Sequence, residues 1–216
     1  MRLKWFTTLL ALLPLFGQES LNVRNLGLVG DRFAPLTWDQ MTPEQKTMTE
    51  HVLAGQRRSM GGPFNILLRS PEMGDLAQQF GASMRFLTSM PVKLRELAII
   101  ITSRYWTAQF EWQAHSVAAR QAGLSDAVIN AIAEGRKPQS LQPDETVVYN
   151  FATELLTTKQ VSDPTFAAAK NLLGERGVVD LVALMGYYQM VAMMLNVDRY
   201  PLGDGVELPL KPLPAR

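Results

Sequence analysis

The hydrophobic and polar positions of this chain repeat mostly at helical spacing, and proline and glycine mark where each helix starts or stops. Thr42-Pro43-Glu44-Gln45 offers a capping residue, a proline at the first helical position and a glutamine at the third, which predicts a helix to about Arg57 with His51 exposed on it. Ser59-Met60-Gly61-Gly62-Pro63 breaks that pattern, and Phe64 to Leu68 follows as a short apolar segment. Ser70-Pro71-Glu72 opens a helix carrying Leu76, Phe80, Met84 and Leu87 at helical spacing, and Pro91 opens the next. Beyond Gly123, helices are predicted from Leu124 to about Glu134 and from Pro143, with Val147, Val148, Phe151, Leu155 and Leu156 on the buried side. Another starts at Asp163-Pro164 and ends near Gly174. The last, from about Gly177 to Asn196, is apolar nearly all round and belongs in the core or at a subunit contact; Met185, Met190, Met193 and Met194 read as packing. At least one of Tyr187 and Tyr188 should turn its hydroxyl inward, where it needs a partner. No strand pair and no internal repeat stands out, so the fold class is all-α with a single domain.

The flanks read differently. Residues 18–39 mix glycine, proline and polar residues without periodicity, as in an extended arm lying over the body, and the helical domain spans residues 40–200. Residues 201–216 contain Pro201, Pro209, Pro212 and Pro214, too many for a helix, which predicts an extended tail lying as a strap, with a neighbouring subunit as one surface for it.

The stretch from Leu94 to Gly123 carries the chemistry. A helix from Pro91 to about Trp106 places Glu96 inward among Leu97, Ile100 and Ile101, about two turns before Arg104. A second helix from about Gln109 to Ala122 puts Glu111 and His115 on one face, because they are four residues apart. Such a Glu/His pair is often a solvated contact; Glu96, standing directly before an apolar run, needs a partner, a shifted pKa or an escape to the surface. Arg95, Arg104 and His115 are its sequence neighbours. The short connection at 106–109 predicts antiparallel packing, which brings Glu96, Glu111 and His115 to one cavity with His115 the nearer partner of Glu96. A carboxylate and an imidazole so placed can move protons.

RELAIIITSRYWTAQFEWQAHSVAARQAGLSDAVINAI resembles the central signature of the carboxymuconolactone decarboxylase-like family, in the superfamily that contains the AhpD-type alkylhydroperoxidases. The resemblance extends through GPFNILLRSPEMGDLAQQFGASMRF before it and DLVALMGYYQMVAMMLNVDRYPLGDG after it. It implies an AhpD-like helical bundle and subunits assembled into rings, here a trimer or hexamer. In the peroxidase branch a CxxC pair occupies the positions of Ala108 and Glu111, with the histidine retained as His115. This chain has no cysteine, so thiol peroxidase chemistry is excluded. The remaining pattern of Glu96, Glu111, Trp112 and His115 looks like the decarboxylase-type branch.

From the resemblance and the residue types, His115 is the expected proton donor, Glu111 orients the imidazole or shares its proton, and Glu96 is a second acid/base group. Arg104 is expected either to hold a substrate carboxylate or to pair with Glu96 or a surface carboxylate. Asn65 stands between a substrate hydrogen bond and local turn bonding, and Trp112 is a substrate-binding candidate from the motif. Two histidines in the whole chain argue against a metal site, and no cofactor is expected.

Composition narrows the partners. With 47% hydrophobic and 19% charged residues and a formal net charge of +1, the chain has an ordinary globular balance. Without a basic stretch interleaved with aromatics, small molecules are expected as ligands and nucleic acid is not. Arg2 and Lys4 precede a largely apolar run from Trp5 to Phe16, too short for a bilayer span but suited to a secretory signal over residues 1–17. Export to the periplasm or beyond is the expectation, with a cytoplasmic location if that segment is not a signal. Two functions follow: a cofactor-free lyase or isomerase acting on a small carboxylated or lactone-like compound, or a non-catalytic binding or assembly protein that keeps the family cavity.

Overall fold

The computed structural model describes residues 25–212, and among them the regular structure is entirely helical. The proposed signal segment and Pro214 lie outside the described residues. Helix α1 (Pro43–Ala54) starts where the capping pattern places it: the Thr42 side chain accepts from the Gln45 amide, and the Gln45 side chain accepts from the Thr42 amide at 2.9 Å. It ends at Gly55, earlier than the periodicity suggested, which leaves Arg57 on a loop. One turn, α2 (Phe64–Leu67), is wholly buried.

Helix α3 (Pro71–Phe86) is turned opposite to the simplest reading of its apolar stripe. Leu76 is 69% exposed and Phe80 and Leu87 are exposed too, while Gly74, Ala77, Gln78 and Gly81 face inward. Small residues win the inner face because neighbours come so close. A Cβ on Gly81 would lie 2.2 Å from the Tyr187 hydroxyl, and one on Gly74 would lie 2.6 Å from the Leu67 carbonyl.

Helix α4 (Val92–Tyr105) is the central element, with Leu97, Ala98, Ile99 and Ile100 completely buried. It is packed by α5 (Gln109–Gln121), α6 (Asp126–Ala133), α7 (Pro143–Thr158) and α8 (Asp163–Asp198). The hydroxyls of Thr102 and Ser103 donate to carbonyls one turn back, so a helix buried all round leaves neither unsatisfied. Lys93 reaches across to Glu145 at 2.9 Å, and the same Glu145 closes a capping box at the start of α7. Gly174, at φ 70°, ψ 173°, breaks α8 into the two helices the sequence suggests, and Ser162 rather than Asp163 holds the cap position.

The second half of α8 is divided between two environments. Leu181, Leu184, Met185, Tyr187, Tyr188, Val191 and Leu195 enter the core, while Val179, Val182, Met193 and Val197 face outward. The helix is long and apolar enough to cross a membrane by composition, but half of that apolar window is buried inside the fold. A smaller apolar cluster of Met41, Met48, Val52, Met60, Phe64, Leu67, Leu68 and Ala77 is joined to the main one by Met190 and Met194.

Both flanks lie on the chain's own body. Asp198, fully buried, accepts from the Asp31 and Phe33 amides, and the Asn65 side chain donates to the Phe33 carbonyl, so the arm is pinned at the end of α8. The tail is held by Gln109, which donates to the Leu210 carbonyl and accepts from its amide, and by Arg104, which donates to the Lys211 carbonyl. Leu210 is buried by this pairing. Through Pro212 the strap therefore packs against its own subunit.

Candidate acid–base site

Glu96, His115 and Glu111 form one line of side chains. Antiparallel α4 and α5, joined by the tight 106–108 turn, set Glu96 opposite His115: Nδ1 of the imidazole lies 2.6 Å from Glu96 Oε2. On the other side of the ring, Nε2 lies 3.3 Å from Glu111 Oε1, the contact that four-residue spacing on α5 provides. All three residues are buried. Of the two other neighbours of Glu96, Arg95 is 4.0 Å away and Arg104 points elsewhere. Tyr188 meets the imidazole edge-on, with ring centroids 4.9 Å apart.

The two carboxylates are not equivalent. Glu111, with His115, lines a cavity of about 440 Å³, whereas Glu96 stands behind the imidazole and does not reach it. Burial is the largest influence on Glu111 and pushes its pKa up to about 7, against the opposing pull of His115, Arg57 and Arg85. A carboxylic acid that titrates near neutrality and faces open space beside an imidazole can take or give a proton there. Because the carboxylates occupy opposite nitrogens of one ring, the three groups do not converge on a point. Among the described residues, no group of three or more His, Asp or Glu could hold a metal ion.

Arginines and aromatic rings complete the cavity. Arg57, on the loop after α1, and Arg85, near the end of α3, both line it, and no carboxylate of the described residues makes an ion pair with either. Arg57 lies over the Phe64 ring and approaches the Tyr187 hydroxyl at 3.5 Å, leaving its Nε buried without a partner. Tyr187, Tyr188, Phe86 and Phe110 supply apolar walls. Burial raises the pKa of both tyrosines, so they stay protonated at neutral pH.

The three residues proposed for substrate binding lie outside this cavity. Asn65 is fully buried and its amide nitrogen donates to the carbonyl of Phe33, 32 residues away, a tertiary tether rather than a turn, with its Oδ1 left without a partner. Trp112 packs into the main core. Arg104 donates to Thr107 and Lys211 and lines another pocket. Arg57 and Arg85 stand where the sequence had placed Arg104. Nothing in the local pattern distinguishes them from Arg58, Arg69 or Arg95, since only the packing of α3 and α8 turns them to one space.

No curated protein and no solved structure matches the chain. A family model does match, over residues 71–154. That segment holds Glu96, Glu111 and His115, while Arg57 and the two tyrosines of the cavity lie outside it. The matching model is that of the carboxymuconolactone decarboxylase family, so residues 71–154, which fold entirely as helices and turns, are similar to that family.

Proposed function

We propose that this protein is a lyase or isomerase that moves protons on a small carboxylated or lactone-like compound, using its own side chains as acid and base. The observation that carries this reading is the Glu96–His115–Glu111 line, which ends on a cavity beside two guanidiniums without carboxylate partners. Arg57 and Arg85 are suited to hold substrate carboxylates, which a guanidinium binds with two parallel hydrogen bonds. The aromatic walls fit a flat, conjugated body.

In this reading Glu111, not Glu96, exchanges a proton with substrate, and Glu96 is a positioning residue. An ionised Glu96 only accepts hydrogen bonds, so it keeps the hydrogen on Nδ1 and leaves Nε2 to share a proton with Glu111. In a decarboxylation, the C–C bond to the carboxylate breaks, carbon dioxide leaves, and the electron pair passes into the adjacent carbonyl or lactone conjugation. Glu111, reprotonated through His115, then delivers a proton to that carbon. In an isomerisation the same pair removes a proton at one carbon and returns it at another.

Export and assembly are part of the proposal. The basic start and apolar run of residues 1–17 favour a secreted or periplasmic protein, and the outward apolar faces of α3 and α8 favour a homo-oligomer, a trimer or hexamer.

The test is incubation of the full chain with a panel of carboxylated lactones and hydroxylated aromatic acids, read by carbon dioxide release and mass spectrometry. Turnover that disappears in His115→Gln supports the assignment. Ligands that bind without turnover, equally in both proteins, would establish a binding protein instead.

A further inference from the structure

Arg104 sits on α4 two turns beyond Glu96, and it lines a separate cavity of about 260 Å³ between α4, α6 and α7. Ile101, Ile132 and Leu156 make its walls apolar, Thr153 and Thr157 add hydroxyls, and no Asp or Glu is among the lining residues. Arg104 is only 4% exposed. Its terminal nitrogens donate to two neutral oxygens, Thr107 Oγ1 at 3.2 Å and the Lys211 carbonyl at 2.8 Å, and its Nε is buried without a partner. No carboxylate of the described residues pairs with it. A guanidinium taken this far out of water ordinarily has a counter-charge. Burial here also draws its pKa down from the usual arginine value.

We propose that this cavity is a second ligand site, separate from the acid–base cavity, which binds a small monocarboxylate with an apolar body of about one ring. The carboxylate meets Arg104 and the Thr153 hydroxyl, since the Thr157 hydroxyl already donates to the Thr153 carbonyl; the body lies against Ile101, Ile132 and Leu156. One charge is specified, not two, because the other arginine at this cavity, Arg136, is already paired with Glu134. The size suits a single ring, since the cavity is slightly below the usual range for drug-sized ligands. The Lys211 contact ties the C-terminal strap to the same guanidinium.

The probe is benzoate, with benzyl alcohol as its uncharged counterpart, measured by titration calorimetry on the full chain. An Arg57→Gln/Arg85→Gln background removes anion binding at the acid–base cavity, so the result does not depend on the enzymatic reading. In that background, benzoate is expected to bind at least about tenfold more tightly than benzyl alcohol, the scale of one hydrogen bond to a charged group. Arg104→Gln should abolish that preference. Thr153→Phe, which fills the cavity without removing any Arg104 contact, should abolish binding while helicity is kept. Absence of benzoate binding at millimolar concentration overturns the site, as does binding unchanged in both variants. A change of oligomer size in Arg104→Gln with benzoate binding intact also overturns it, by assigning the guanidinium to a subunit contact.

Discussion

Glu96 and His115, nineteen residues apart and on different helices, share the shortest contact of the buried polar line: 2.6 Å between Oε2 and Nδ1. This places a fixed, buried carboxylate behind the imidazole and leaves Glu111 as the group that meets the cavity. On this geometry His115→Gln removes turnover. Glu96→Gln keeps an acceptor near Nδ1 but loses the charge that stabilises an imidazolium, so kcat should fall about 100-fold or more with KM little changed. Equal kcat in Glu96→Gln and the parent protein would end its positioning role.

Glu111 gives activity and stability a pH signature. Its pKa is raised to about 7, from an ordinary carboxylate value of 4.5. Between those two values the folded state binds more protons than the unfolded chain, so stability falls as pH rises through that window. Below about pH 4.5 the group contributes no penalty, and above pH 7 the whole penalty applies, on the order of 3 kcal/mol at most. Glu111→Gln should therefore be the more stable protein at pH 8 and lose this advantage near pH 4.5. Denaturant titrations at the two pH values check the sign. In the rate profile, a limb near pH 7 is expected in the parent protein, and Glu111→Gln should lower kcat at every pH because glutamine cannot exchange the proton.

Arg57 and Arg85 line the acid–base cavity, and the proposed function gives them the substrate carboxylate. Replacing either by glutamine should raise KM by about tenfold or more, the scale of one charge-assisted hydrogen bond, and change kcat less. Arg104→Gln should leave KM nearly unchanged because that side chain lines another cavity. Steady-state kinetics on the three variants checks the division.

Gly81 sets the approach of α3 to the cavity wall. Alanine there puts a methyl group 2.2 Å from the Tyr187 hydroxyl, so the ring must move or the helices must part. A loss of about 1–3 kcal/mol in unfolding free energy is expected from overpacking, along with weaker substrate binding. The ring carbon Cζ comes as close as the hydroxyl, so a Gly81→Ala/Tyr187→Phe double variant should stay destabilised, while coupling of Gly81→Ala with Tyr187→Leu in a double-mutant cycle would identify the ring as the clash.

The proposed assembly uses the outward apolar faces of α3 and α8. Leu76→Asp on α3 and Val179→Asp on α8 should each lower the oligomer size at micromolar concentration without loss of helicity, because both residues are about two-thirds exposed in the single chain. Light scattering decides this, and an unchanged mass in both variants removes these faces from the interface.

What the sequence determined was local or nearly so. Thr42 and Gln45 set the start of α1, Gly174 broke α8, and the absence of cysteine ruled out thiol chemistry. Four-residue spacing put Glu111 beside His115, and the short 106–109 connection was enough to turn Glu96 toward the same imidazole. Periodicity shows that a helix has an apolar stripe, but not what covers it. Only tertiary packing turned Leu76 and Phe80 outward and Gly81 inward, because the bulk of Tyr187 occupied the space on that side. Sequence distance was equally silent about direction: Arg104, eight residues from Glu96 on one helix, faces another cavity, while Arg57 and Arg85, from a loop and another helix, face Glu111. The acid–base line joins neighbours on adjoining helices, but the arginines of its cavity are assembled across the fold, where charge is positioned by the packing of whole helices.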